Sequence, residues 1–143
     1  MTRDDDESNA FDWDLLVTSR LNAILCGERA TLDVMLAMLR SHLALPQHEW
    51  SLAKGSSLPA LTTGTLILRD LLGSTLDQQR AFLEWLDGRD ALRVITVSER
   101  PLFGLVEHGV LLEQLYYRLN PMYCPVHPDG RTSSARIGRS SAA

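Results

Sequence analysis

Short apolar runs that alternate with amphipathic helical patterns constrain the fold of this chain more than any other feature. Residues 22–26 (NAILC), 65–68 (TLIL) and 93–97 (RVITV) are apolar at most positions instead of alternating between polar and apolar. Between the first two runs, residues 31–43 carry leucines and a methionine at helical spacing. Strands that are apolar on both faces are typical of a parallel sheet covered by helices. The pattern therefore predicts an α/β domain.

Capping and punctuating residues delimit the other predicted elements. Ser74 and Thr75 precede a helix predicted over residues 76–86, Asp77 and Gln78 are placed to complete a capping box, and Gly88 is placed to end the helix. The leucines expected on the inner face of that helix are Leu76, Leu83 and Leu86. The remaining predicted elements are two helices, over residues 101–108 and 110–119, and two weaker strands, over residues 49–53 and 122–126.

Composition separates two polar ends from a central domain. Residues 1–10 are strongly acidic, and residues 129–143 are mostly Gly, Ser, Ala and Arg, so we expect both ends to be disordered. The net charge of −4 offers no basic field for nucleic acid. The acidic N-terminus differs from a secretory signal, and charged residues interrupt every apolar stretch. We therefore expect one domain, residues 11–128, in a cytoplasmic protein that binds neither DNA nor a membrane.

The two cysteines fit a reducing compartment. In a chain of this kind, Cys26 and Cys124 predict two buried thiols instead of a disulfide. Cys124 and His127 have the spacing of half a metal site, but no second Cys or His pair lies nearby in the sequence. We therefore expect no metal site.

The most specific pattern lies in two segments, residues 64–87 (GTLILRDLLGSTLDQQRAFLEWLD) and residues 92–120 (LRVITVSERPLFGLVEHGVLLEQLYYRLN). They resemble the AAA+ domain of sigma-54-dependent transcription activators, the bacterial enhancer-binding proteins. Upstream, residues 22–34 (NAILCGERATLDV) resemble the strand and phosphate-binding loop of that family. The resemblance covers roughly residues 22–128. It implies a three-layer, P-loop-NTPase-like parallel sheet flanked by helices, without the helical lid subdomain.

The residues that would handle a nucleotide depart from the family pattern. A phosphate-binding loop requires glycines, a lysine on the phosphates and a Ser or Thr on Mg²⁺. Here Asp33 occupies the lysine position, and Arg69 occupies the position of the metal-holding aspartate. A charge reversal beside a phosphate is worth roughly 4 kcal/mol per unit-charge pair at about 4 Å and an effective dielectric near 20. The vestigial nucleotide-binding positions that the resemblance implies are Gly27, Glu28, Thr31 and Asp70.

Three further departures concern the sensor, the subunit interface and a missing insertion. Ser98 and Glu99 replace the polar sensor pair, and of the two intersubunit arginines only Arg118 remains, because the first position holds Leu112. Residues 58–63 (LPALTT) bridge the gap where the family has a helix and the loop that contacts the sigma factor. The pattern also stops after Pro128, before the lid and the DNA-binding helices of the family.

These departures predict a pseudo-ATPase, a domain that is not an enzyme. We expect it to modulate transcription through protein contacts, with an intact AAA+ activator or a second copy of itself as partner. We expect no cofactor, and ATP with Mg²⁺ is disfavoured. The alternative is a weak ATP- or ADP-binding transcriptional regulator, a nucleotide-gated switch. A small-ligand sensor and a decayed gene remnant also stay open.

Overall fold

The structure is a computed structural model that describes residues 13–55 and 57–127 and the backbone of residues 136–137. Its strands are β1 (Ala23–Cys26), β2 (Gln47–Ser51), β3 (Gly64–Arg69), β4 (Leu92–Ser98), β5 (Met122–Pro125) and β6 (Arg136–Ile137). They form one sheet in the order β2-β3-β4-β1-β5-β6. Strands β1 to β5 are parallel, and β6 pairs antiparallel with β5.

Helices cover both faces of this sheet. They are α1 (helical residues 13–18), α2 (Arg29–Leu39), α3 (Leu76–Leu86), α4 (Phe103–Glu107) and α5 (Glu113–Leu119), with a 3-10 turn at Arg40–His42. Successive strand residues point to opposite faces, so Leu25 packs with α2 whereas Ile24 packs with Phe82 of α3. The predicted three-layer, P-loop-NTPase-like α/β fold is therefore confirmed, and the described residues include no helical lid.

The capping box of α3 is confirmed, but its predicted inner face is partly wrong. The Thr75 hydroxyl accepts a hydrogen bond from the Gln78 backbone N–H at 3.1 Å, and the Gln78 side chain accepts one from the Thr75 N–H at 2.8 Å. Leu76 is 37% exposed, whereas Gln79 and Phe82 are buried. The amide of Gln79 sets this rotation, because it bonds the backbone of the segment between α4 and α5.

Several boundaries also differ from prediction. Strand β2 spans Gln47–Ser51 instead of residues 49–53, because its pairing with β3 begins at Gln47 opposite Thr65. Helix α2 begins two residues earlier than predicted and gives way to the 3-10 turn before residue 43. The predicted domain boundaries at residues 10 and 128 lie outside the described residues. Within the predicted disordered tail, residues 129–143, Arg136–Ile137 is instead a strand, because its backbone pairs with β5.

The short connection between β2 and β3 is tied to α3. The indole N–H of Trp85 donates to the Pro59 carbonyl at 3.1 Å, and Arg89 Nε donates to the Leu61 carbonyl at 2.8 Å. Phe82 stacks between the rings of Trp50 and Trp85, at centroid distances of 5.7 and 5.6 Å. These contacts hold the connection against α3, and β2 pairs with β3 along five residues.

Both cysteines are buried free thiols, as predicted. No helix within the described ranges is both long and apolar enough to cross a membrane.

Candidate functional site

A cleft of about 750 Å³ opens at the carboxyl ends of β2, β3 and β4, beside the first turns of α2. Open α/β sheets bind ligands at the carboxyl ends of their strands, because a reversal of the strand order leaves a crevice between the connecting loops there. The charged side chains in its walls are Arg29, Asp33, Lys54, Arg69, Asp70, Glu99 and Arg100. Of the four predicted vestigial nucleotide-binding residues, only Asp70 is among the described residues that line the cleft.

The turn from β1 to α2 holds only two residues, Gly27 and Glu28. The Leu32 N–H already donates to the Glu28 carbonyl at 2.8 Å, so helical hydrogen bonding begins at once. The resemblance implies that Ala30 and Leu32 stand at the family's later glycine positions and Asp33 at its lysine position, and all three residues lie within α2. Alanine and leucine at two of them favour the helix, whereas glycines at these positions would have disfavoured it. The segment predicted to resemble a phosphate-binding loop is therefore a two-residue turn followed directly by helix.

Gly27 has a structural role that needs no phosphate. A Cβ at this position would lie 2.6 Å from the backbone oxygen of Val126, a contact that real Cβ atoms do not make. The Val126 N–H donates to the Cys26 carbonyl at 2.7 Å, and this hydrogen bond holds the end of β5 against the turn. Gly27 permits this close approach. Glu28 is exposed at the N-cap of α2, and Thr31 is buried in the first turn.

Asp33 and Arg69 form an ion pair. Arg69 Nη2, at the end of β3, lies 3.5 Å from Asp33 Oδ1 on α2. The same guanidinium also contacts the carboxylate of Glu49, which Arg40 contacts at 2.5 Å. Although burial raises the pKa of Glu49, hydrogen bonds from Arg69 and Arg40 hold that pKa below its ordinary value. Arg69 is thus shared between two carboxylates, one on α2 and one on β2.

Asp70 accepts a hydrogen bond from β2 and adopts an unusual backbone conformation. One carboxylate oxygen accepts a hydrogen bond from the Ser51 hydroxyl at 2.5 Å. Its φ of 60° lies in the left-handed region, which aspartate tolerates better than most residues. Such residues cluster at functional sites, where the surrounding structure holds the strain.

The polar groups at the end of β4 hydrogen-bond to one another. The buried Ser98 hydroxyl donates to the Arg100 carbonyl at 2.7 Å and accepts from the Arg100 N–H at 3.2 Å. Glu99 Oε2 lies 3.8 Å from Arg29 Nε, and both side chains are largely exposed. The sensor position therefore shapes a tight turn.

Arg118 lies outside the cleft and connects α5 to the end of α3. Its Nη2 donates to the Leu86 carbonyl at 2.9 Å, and its Nη1 lies 3.3 Å from Asp87 Oδ1. Asp87 follows α3, and the packing of α3 on α5 brings it to Arg118.

Exposed aromatic side chains lie at and beside residues 116–120, the segment that the resemblance implies to be near a subunit interface. Phe103, Tyr116 and Tyr117 stack edge to face or at a tilt, with centroid distances of 5.8 and 5.4 Å. Phe103 and Tyr117 are 40% and 44% exposed. Tyr116 is buried in the core and packs against both rings, so we call the exposed pair Phe103 and Tyr117 the aromatic surface. The sequence signal was the pair of adjacent tyrosines near the end of the family-like segment 92–120.

The cleft contains no recognisable metal centre. No group of three or more His, Cys, Asp or Glu side chains in residues 13–55 and 57–127 is arranged to hold an ion.

Solved structures of NtrX from Brucella abortus have the same architecture. One matches with a TM-score of 0.64 at 14% identity, over 85% of this chain and 36% of that one. A complex with ATP matches with a TM-score of 0.62 at 14% identity, and a complex with ADP with a TM-score of 0.60 at 15% identity. The last two matches cover 85% of this chain and 35% of those chains.

This chain has the fold of one part of NtrX. At this identity, the likeness to NtrX extends to the fold alone, and the chain spans about a third of the NtrX chains. No protein-family model and no curated protein matches the sequence.

Proposed function

We propose that this domain is a non-hydrolysing regulatory module that modulates transcription through protein contacts. The ion pair between Asp33 and Arg69 carries the proposal. In sigma-54-dependent activators, the corresponding positions hold the phosphate-binding lysine and the metal-holding aspartate. Both charges are exchanged here, and the two residues neutralise each other. An anion thus occupies the place where phosphates require a cation, and a cation the place where Mg²⁺ requires an anion.

The residues present do not fit Mg-ATP. Magnesium takes oxygen ligands, whereas Arg69 presents a guanidinium that is already shared between two carboxylates. The N-terminus of α2 offsets only about 0.3–2 kcal/mol, less than the roughly 4 kcal/mol of repulsion that one unit-charge pair contributes. The resemblance implies that Asp70 stands at the position of the family's water-activating glutamate. Its side chain is one methylene shorter than a glutamate and is hydrogen-bonded to Ser51. We therefore propose that the domain has no ATPase activity and needs no cofactor.

The aromatic surface is the proposed contact for the partner. It overlaps residues 116–120, which in activators lie near the subunit interface. Exposed Tyr and Phe side chains are enriched at protein interfaces, because they bury much apolar area at little entropic cost. We propose an intact AAA+ activator, or a second copy of this chain, as the partner. In this account the module acts in the cytoplasm and contacts neither DNA nor a membrane.

A pull-down with native mass spectrometry tests this function against the AAA+ domain of an intact sigma-54-dependent activator. We expect a complex that Tyr117→Ser weakens and Val34→Ser does not. Val34 is a matched control because it is 57% exposed and lies on α2, across the sheet from the aromatic surface. Absence of any complex, with the activator or with itself, would contradict the proposal.

One observation favours the alternative, a weak nucleotide-gated switch: two NtrX structures of this fold are complexes with ATP and ADP. In that account, Gly27, Glu28, Thr31 and Asp70 would bind a nucleotide weakly, and Arg118 would contact a neighbouring subunit. Nucleotide calorimetry separates the two functions.

A further inference from the structure

Two cations in the cleft wall are not neutralised. Lys54 follows β2, Arg100 follows β4, and both are exposed. Neither side chain makes an ion pair or hydrogen bond with any residue in 13–55 or 57–127. In contrast, Arg29 and Arg69 in the same wall each face a carboxylate.

Serine hydroxyls fix the backbone that presents these two cations. Ser51 Oγ accepts from the Lys54 N–H at 3.1 Å, and Ser98 Oγ bonds both the N–H and the carbonyl of Arg100. The backbone of each turn is therefore already ordered, so a ligand needs to order only the two side chains. Because β3 separates β2 from β4, the two turns begin about 10 Å apart, two strand spacings.

The local charge is opposite in sign to that of the whole chain. Four cations and three carboxylates line the cleft, whereas the chain carries a net charge of −4. Beside them lie the apolar side chains of Leu32, Leu72 and Val97. A ligand that suits this cleft has anionic groups for Lys54 and Arg100 and a short hydrocarbon body.

We infer that the cleft binds a small organic dianion, either a dicarboxylate or a phosphomonoester, held between Lys54 and Arg100. The inference goes beyond the proposed function and depends on it only in requiring that no nucleotide competes for the cleft. The carboxylates of Asp33, Asp70 and Glu99 select against a polyphosphate, because each added phosphate charge meets three anions in the same walls. The left-handed backbone of Asp70 lies between the two turns, at the end of β3.

Titrations followed by calorimetry and by backbone amide shifts test the inference. The probes are glutarate, glycerol phosphate and Mg-ATP, with sodium chloride at matched ionic strength as reference. We expect saturable binding of glutarate or glycerol phosphate, with shifts confined to residues 53–54, 70–73 and 98–100. Lys54→Ala and Arg100→Ala should each weaken this binding about tenfold, the effect of losing one charge-assisted contact. Arg80→Ala is the matched control, because Arg80 pairs with Asp77 outside the cleft and is similarly exposed.

Each other outcome overturns a defined part of the account. No binding of either dianion, or shifts that sodium chloride reproduces, removes the inference and leaves the proposed function intact. Binding that the Lys54 and Arg100 variants do not weaken removes the inference as well. Tighter binding of Mg-ATP than of both dianions removes the inference and the proposed function together.

Discussion

Arg69 Nη2 and Asp33 Oδ1 are 3.5 Å apart and join the end of β3 to α2 across the edge of the cleft. The Asp33 side chain is 57% exposed, so the pair contributes at most about 1 kcal/mol to stability. The proposed function depends on the signs of these two charges, because it takes Asp33 and Arg69 to stand where the resemblance implies a lysine and an aspartate.

A charge-exchange cycle tests whether these two residues interact as a pair. Asp33→Lys places a second cation beside Arg69, and Arg69→Asp places a second anion beside Asp33, so we expect each single change to destabilise the fold. The double change should recover about 0.5–1 kcal/mol relative to the sum of the singles. Urea unfolding of the four proteins measures this coupling. Strictly additive effects would show that the two side chains do not interact.

We expect Gly27 to be required for the close packing of the end of β5 against the turn between β1 and α2. Gly27→Ala should lower the free energy of unfolding by about 1–3 kcal/mol, since the new methyl group meets the Val126 carbonyl. Gly104→Ala is the control, because nothing lies within 4 Å of its Cβ position in α4 and alanine favours a helix. Thermal and urea unfolding compare the two variants. Equal stability of Gly27→Ala and the natural chain would indicate that this position does not hold β5 close.

The connection between β2 and β3 is expected to depend on Trp85. Trp85→Phe keeps an aromatic ring against Phe82 but removes the hydrogen bond to the Pro59 carbonyl, which costs about 1 kcal/mol. Amide exchange should become faster across residues 60–63. Trp13→Phe serves as control, since the indole N–H of Trp13 makes no hydrogen bond within the described part of the chain. If the amide exchange rates of residues 60–63 are unchanged in Trp85→Phe, the indole hydrogen bond does not hold this connection in place.

Glu49 gives the fold an acid-sensitive component. Its pKa is lower in the folded protein than in the unfolded chain, so the unfolded state binds more protons as the pH falls. The stabilisation is present above the ordinary glutamate pKa of about 4.3 and is lost as the pH falls through the folded value. Glu49→Gln should therefore be less stable than the natural chain near neutral pH and approach it in acid. A stability difference that is constant with pH in urea unfolding would contradict this.

Much of the fold is encoded in local pattern. Continuous apolar runs indicated buried parallel strands, and Thr75 with Gln78 indicated the start of α3, because both signals act within a few residues. The exposure of Leu76 was not predictable this way. It depends on Gln79, whose amide bonds residues 31 and 33 positions away in the sequence.

In the candidate site, too, the positions of residues were predictable from the sequence, whereas their long-range contacts were not. The resemblance located Asp33, Arg69 and Asp70, but not the contacts they make. That Arg69 is shared between Asp33 and Glu49 follows from the packing of α2 and β2 on either side of β3, which no local signal encodes. The contact of Arg118 with Asp87 was not predicted for a similar reason, since Asp87 is the C-cap residue of a different helix, α3.

Calorimetric titration of the natural chain with Mg-ATP and with Mg-ADP tests the central claim most directly. Asp33→Lys is titrated alongside, because a lysine there still faces Arg69 and still lies within a helical turn. The account predicts no heat of binding for either nucleotide with either protein, at concentrations that would detect millimolar affinity. Micromolar binding of ATP or ADP to the natural chain would contradict it and make the domain a nucleotide-gated switch.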